Sequence, residues 1–168
     1  RAKRKAIIGP WAHKYPHFAK PGPQIGFLQE CLRWWDCWLK GIDTGIMDEP
    51  MLRAWIEDPI RPSPYNAEKP GRWVAEKAWP GAGQPLELSL SPGMLGAPGQ
   101  GTVTISSPQT TGQGAGKWCA YGIWADQPLD QRVEMSGQAV FDSEQLAEDL
   151  DILGTLLLSI TLSCDQPQ

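Results

Sequence analysis

The 168 residues carry 15 Lys and Arg against 19 Asp and Glu, and a net charge of −4 argues against a general nucleic-acid binder, which needs a net basic surface. No apolar run approaches the ~20 residues that cross a bilayer, the longest being 153–162. The 18 Gly and 16 Pro are spread between apolar segments, and nine Trp exclude an aromatic-poor disordered chain, so a loop-rich globular β-domain is expected.

The chain starts with a basic run (Arg1, Lys3, Arg4, Lys5), read as a solvated lead-in to Ala6-Ile7-Ile8. The apolar run breaks at Gly9-Pro10, which predicts a short buried strand that ends abruptly. His13 stands just beyond its carboxyl end, the edge where open α/β sheets place ligands and chemistry. His17 comes four residues later, but Pro16 forbids the helix that would align the two as metal ligands. No metal site is expected there, and nothing calls for a cofactor. His17 is expected to be exposed or to line the same cleft as His13.

Residues 24–40 turn helical: Ile25, Leu28, Leu32, Trp35 and Leu39 recur at threes and fours, with Cys31 and Trp38 widening the stripe. Lys40 suits the negative pole of the dipole and Gly41 a left-handed stop. The stripe and the Trp34, Trp35, Trp38 cluster predict a helix docked on a sheet rather than a ligand-stacking box. Residues 42–50 form a linker, with a domain boundary at 49/50. Residues 51–57 alternate as a strand, 58–71 form a Pro-rich loop, and 73–78 are extended.

Further strands are expected at 86–90, 101–106, 132–135, 139–141, 150–153 and 156–163, with a polar loop at 107–118. Ser143 is read as the N-cap of a helical turn reaching residue 149. Short strands at this spacing suggest a sandwich or jelly roll, and six or seven fall short of the eight of a full one. The final stretch, 161–168, would leave an apolar edge, as in a piece of a longer polypeptide.

Cys31, Cys37, Cys119 and Cys164 contain no C-x-x-C pair and make no disulfide framework. They are expected to be mostly buried thiols, and the compartment stays open with a lean toward the cytoplasm.

Ile7-Ile8-Gly9-Pro10-Trp11-Ala12-His13 resembles the segment bearing the catalytic histidine in the Xaa-Pro dipeptidyl-peptidase and cocaine-esterase family of α/β-hydrolases. The stretch from Leu32 to Pro50 is similar to the segment that comes after that histidine in the same family. Ala78-Trp79-Pro80, Asp130-Gln131-Arg132, Val140 to Leu146 and Leu150 to Gly154 resemble features of its C-terminal β-domain. The resemblance implies a mixed α and β fold. Residues 1–49 would be the last strand and helix of an α/β-hydrolase domain, and 50–168 a truncated, jelly-roll-like sandwich.

Such hydrolases place the nucleophile on a G-x-S-x-G elbow and run Ser, Asp or Glu, then His. No serine here has glycines two before and two after it. The chain is therefore expected to supply only His13, as the proton-transferring base, and to be inactive alone. Asp36 and Asp43 come after the histidine and are expected on the helix surface and in the linker.

The implied substrates are small acyl compounds or peptides: Xaa-Pro peptides, esters, or amides including β-lactams. The implied partner is the rest of the hydrolase, on the same or another chain, with neither nucleic acid nor membrane involved. A β-domain that shapes the cleft and cements a homo-oligomer is also implied. The competing reading is a non-catalytic β-sandwich binding carbohydrate or protein through Trp73, Trp79, Trp118 and Trp124.

Overall fold

A computed structural model describes residues 2–165; Arg1 of the basic run and residues 166–168 of the final stretch lie outside it. In chain order come β1 (Ala6–Ile8), α1 (Phe27–Lys40), β2 (Leu52–Glu57), β3 (Gly71–Glu76), β4 (Leu90–Ser91), β5 (Met94–Leu95) and a 3-10 helix, Gln131–Gly137. The first three strands form one sheet in that order. β1 runs parallel to β2 with Ala6 opposite Leu52, and β2 runs antiparallel to β3 with Leu52 opposite Glu76.

The alternation read at 51–57 makes β2 the centre of this sheet. Leu52 and Ala54 are buried, while Arg53 and Trp55 turn to the other face, each half-buried. Trp55 meets Trp73, directly opposite on β3, edge-on at 5.3 Å, a cross-strand pair that fixes the register. The Trp55 indole N–H donates to the Lys69 carbonyl at 3.0 Å. Trp11, Ala19 and Ile46 complete the buried apolar set with Leu52 and Ala54.

β1 and β2, with α1 between them in sequence, form a β-α-β unit. The Lys5 ammonium donates to the carbonyls of Glu49 and Pro50, pinning the start of β1 to the start of β2. The sheet thus joins residues from both sides of the boundary expected at 49/50.

α1 ends as the sequence predicts. Gly41 takes a left-handed φ of 68°, its N–H donates to the Asp36 carbonyl, and Lys40 pairs with Asp36 at 2.7 Å. The helix starts at Phe27 rather than at 24, because the Ile25 N–H is taken by the Pro16 carbonyl at 3.1 Å. Its orientation also departs from expectation. The Leu28, Leu32, Trp35, Leu39 stripe remains exposed, and no α1 residue is fully buried. Phe27, Glu30, Cys31 and Trp34 face β1 and β2 across a cavity of about 330 Å³, and Glu30 holds Arg53 of β2 at 2.8 Å. Ile25, Cys31 and Trp35 of the stripe also line this cavity, and the Glu30–Arg53 ion pair ties the same side of the helix to β2.

After Glu76 the described residues do not assemble the expected sandwich. Residues 86–90 contribute only Leu90, to a two-residue hairpin with β5. Residues 101–106, 150–153 and 156–163 form no ladder among the described residues, and Leu156 and Leu157 are 85% and 95% exposed. Without neighbours to satisfy their backbones and cover their side chains, such apolar runs do not become strands. Residues 139–141 come close: the Leu95 N–H donates to the Asp142 carbonyl at 2.8 Å, and Met94 bridges to Asp142.

The strand expected at 132–135 is instead 3-10 helix. Asp130 caps it, accepting the Arg132 N–H at 3.1 Å, and this local bond outweighs the β-propensity of Val133. Residues 143–149 form no helical turn, since the Ser143 hydroxyl donates to the adjacent Glu144 carbonyl rather than capping. The polar loop at 107–118 is folded around Glu134, whose carboxylate accepts the Gly112 and Gly114 N–H groups at 2.7 and 2.9 Å. Those two bonds hold the Glu134 pKa below the usual carboxylate value against the effect of burial.

Candidate functional site

β1 and β2 run parallel, so their carboxyl ends open on the same edge, and the turn after β1 carries His13 there. Gly9 permits that turn, because a Cβ at this position would stand 2.6 Å from the Trp11 ring. Trp11 is buried, its indole N–H donates to the Pro23 carbonyl at 2.6 Å, and its ring lies 6.1 Å from Trp73. The turn closes with the Lys14 N–H on the Trp11 carbonyl at 3.2 Å, and Ala12 is left-handed, with φ 50°. His13 projects from this anchored turn, just past the end of β1, and is exposed.

Its partners come from 119–121. The His13 N–H donates to the Ala120 carbonyl at 2.7 Å, Nδ1 lies 3.2 Å from the Cys119 Sγ, and Tyr121 packs edge-on at 4.9 Å. Either the thiol donates to Nδ1, leaving the proton on Nε2, or Nδ1–H donates to sulfur, leaving Nε2 free to accept.

The loop carrying Cys119 is fastened from several sides. Gly122, at φ 71°, lies against the Lys20 carbonyl, where a Cβ would overlap the oxygen. Asp126 is buried and accepts the N–H groups of Tyr121 and Ile123 at 3.0 and 3.4 Å, while Lys117 pairs with it at 3.2 Å. Burial pushes the Asp126 carboxyl up, but Lys117 and the two N–H groups outweigh it and its pKa ends below the usual value. The Gln127 N–H donates to the Pro64 carbonyl at 3.0 Å. Cys119 itself is left-handed, with φ 60°, a conformation that costs a non-glycine residue energy and persists where surrounding bonds enforce it.

Beside this contact lies a cleft of about 370 Å³, lined by Gly9, Pro10, Ala12, Pro21, Cys119 and Gln127. The ion pair Lys69–Glu57, at 3.2 Å, lies on its wall. The other cavity, under α1, is walled by aromatic rings and closed by charges that satisfy one another. Arg33 hydrogen-bonds Glu49 and, with Arg53 and Lys5, holds the Glu49 carboxyl below its usual pKa.

His17 is neither exposed nor in the His13 cleft. It is half-buried among Phe18 at 4.6 Å, Phe27 at 6.0 Å and Tyr15 at 6.1 Å, because the chain between Tyr15 and Phe27 folds its rings together. Asp36 pairs with Lys40, and the Asp43 carboxylate accepts the Gly45 N–H, so both carboxylates are engaged away from His13. The expectation of mostly buried thiols fails: Cys31 and Cys37 are half-buried, and Cys119 and Cys164 exposed. No group of three or more potential metal ligands is assembled among the described residues.

Cys119, Tyr121 and Asp126 are the site residues that sequence reasoning passed over. Cys119 and His13 are 106 positions apart, and no local pattern links them. Only Asp126, a lone acid in an otherwise uncharged aromatic and glycine stretch, hinted at a fastened loop.

The model of the X-Pro dipeptidyl-peptidase C-terminal non-catalytic domain matches residues 44–168, about three quarters of the chain, and the chain belongs to that family. No curated protein and no solved structure matches it. His13 and α1 precede the matched residues, while Cys119 and the loop that carries it fall inside them.

Proposed function

We propose that this chain is part of a serine hydrolase of the α/β class acting on acyl compounds, and that His13 is its proton-transferring base. The serine and the acid would come from outside these residues, on the same or a partner chain. The observation that carries the reading is the exposed His13 imidazole at the shared carboxyl edge of β1 and β2. Membership of a peptidase-associated family supports the same class and favours Xaa-Pro peptides over esters and other amides.

In this role Nε2 takes the proton of the serine as it attacks the acyl carbon and returns it to the leaving group. The triad acid would bond Nδ1, the position that Cys119 occupies here. Assembly of the complete site therefore exchanges a weak sulfur partner for a carboxylate, which fixes the tautomer with Nε2 free.

A fluorophosphonate probe should label a serine of the assembled hydrolase, and His13→Ala should abolish the labelling. Labelling that survives unchanged rejects the role. The 168 residues alone should turn over no ester above the buffer rate.

A second reading is favoured by Trp118 and Trp124, which are 95% and 77% exposed. Two bare indoles on a non-catalytic domain suit stacking on a sugar or a partner protein. Quenching of tryptophan fluorescence by a glycan panel, lost in Trp118→Ala, would establish it; no response to any glycan removes the carbohydrate form.

A further inference from the structure

Cys119 is exposed, lines the cleft at the carboxyl edge of β1 and β2, and stands 3.2 Å from a ring nitrogen that can take its proton. A nucleophile and a base within hydrogen-bond reach are the geometric requirement for an activated thiol. The base is held in place by groups other than the thiol: the His13 N–H is bonded to the Ala120 carbonyl, and the ring edge rests on Tyr121. The thiol is likewise held by its loop, through Gly122 against Lys20 and Asp126 under Tyr121 and Ile123. In this chain, then, both members of the pair sit on segments anchored by contacts other than their own.

We propose that Cys119 and His13 form a base-assisted thiol, and that Cys119 is a modification site for small disulfides such as glutathione disulfide, entering through the cleft. With His13 in the tautomer that carries its proton on Nε2, Nδ1 takes the proton from Sγ. The thiolate then attacks one sulfur of the disulfide. A new sulfur–sulfur bond joins Cys119 to one half of the reagent as the old bond breaks. The leaving thiolate recovers the proton from the imidazolium. Cys119 is oxidised to the mixed disulfide, one half of the reagent leaves as a thiol, and no other oxidant is required. The inference rests on the contact alone and does not depend on a hydrolytic role for His13.

The test is incubation of the full 168-residue chain with glutathione disulfide at neutral pH, with each mixed disulfide mapped by peptide mass spectrometry. Cys119 should react ahead of Cys31 and Cys37, and His13→Gln should slow Cys119 by about a hundredfold, the lower end of general-base assistance. Equal rates at Cys119 in the two proteins overturn the proposal. A second measurement needs no substitution at His13 and so does not depend on that variant folding. The ring nitrogen resonances of His13 should shift in Cys119→Ser and again when Cys119 is glutathionylated. Ring resonances that stay in place through both changes overturn the proposal as well.

Discussion

β2 and residues 156–163 are both short segments expected as strands, yet only one is a strand. β2 alternates, hides Leu52 and Ala54, and has β1 on one side and β3 on the other. Residues 156–163 also alternate from Leu158 to Ser163, but have no ladder partner among the described residues and expose Leu156, Leu157 and Leu162 to 80% or more. The contrast shows that a strand is a property of its neighbours. β-propensity marks a segment fit for a half-covered surface, and the cover must come from elsewhere. The segment before it keeps one tether to the sheet, the Arg72–Asp151 ion pair.

The largest expected effect comes from removing cover at the centre of the sheet. Leu52→Ala should cost about 2–4 kcal/mol, read from urea unfolding monitored by tryptophan fluorescence. A loss below about 1 kcal/mol would mean that the sheet is not the stabilising core.

Next comes the fastening of the two site segments. Gly122→Ala puts a Cβ into the Lys20 carbonyl at a left-handed position, which should cost about 1–3 kcal/mol. It should also release the His13 amide to rapid hydrogen exchange, while the amides of β2 stay protected. Unchanged protection at His13 would show that the loop does not hold it.

A smaller effect is electrostatic. Arg132, bonded to both Asp130 oxygens, holds that carboxyl at about 2. A lowered folded-state pKa contributes stability that is present above the unfolded carboxylate pKa, near ~4, and lost as pH falls toward 2. Arg132→Gln should flatten this acid-side dependence in the exchange of residues 131–137, and leave neutral-pH behaviour nearly unchanged. A profile identical to that of the parent would remove the ion pair from the account.

The smallest effect sharpens the comparison from the other side. Leu157→Ala, at a side chain 95% exposed, should change stability by no more than about 0.5 kcal/mol. A loss comparable with that of Leu52→Ala would show that this run is covered in solution.

Local signals were legible wherever the structure is local. The Gly41 stop, the alternation of β2 and the break at Gly9-Pro10 all stand in the sequence and in the fold, although β1 is not the buried strand expected, Ala6 and Ile8 being exposed. The position of His13 past a strand end was legible for the same reason, since the strand ends at Gly-Pro. Pairings across long separations were not. The partner of β1 lies beyond residue 50, Cys119 reaches His13 across the chain, and Glu30 of α1 reaches Arg53 of β2. At 132–135 the apolar pattern predicted a strand, and an aspartate two residues upstream, bonding locally, wrote a helix instead.

The parallel join of β1 to β2 has a consequence for the order of assembly. The β2–β3 hairpin closes a loop of 13 residues, 58–70, whereas β1 meets β2 only after 43 residues, 9–51, have been gathered in. The entropy of closing the longer loop exceeds that of the shorter by about 1 kcal/mol. The hairpin should therefore form first, and in pulse-labelled exchange the amides of 53–57 should gain protection before that of Ala6, which awaits the Met51 carbonyl. The histidine turn would then be shaped late, on a platform that already exists.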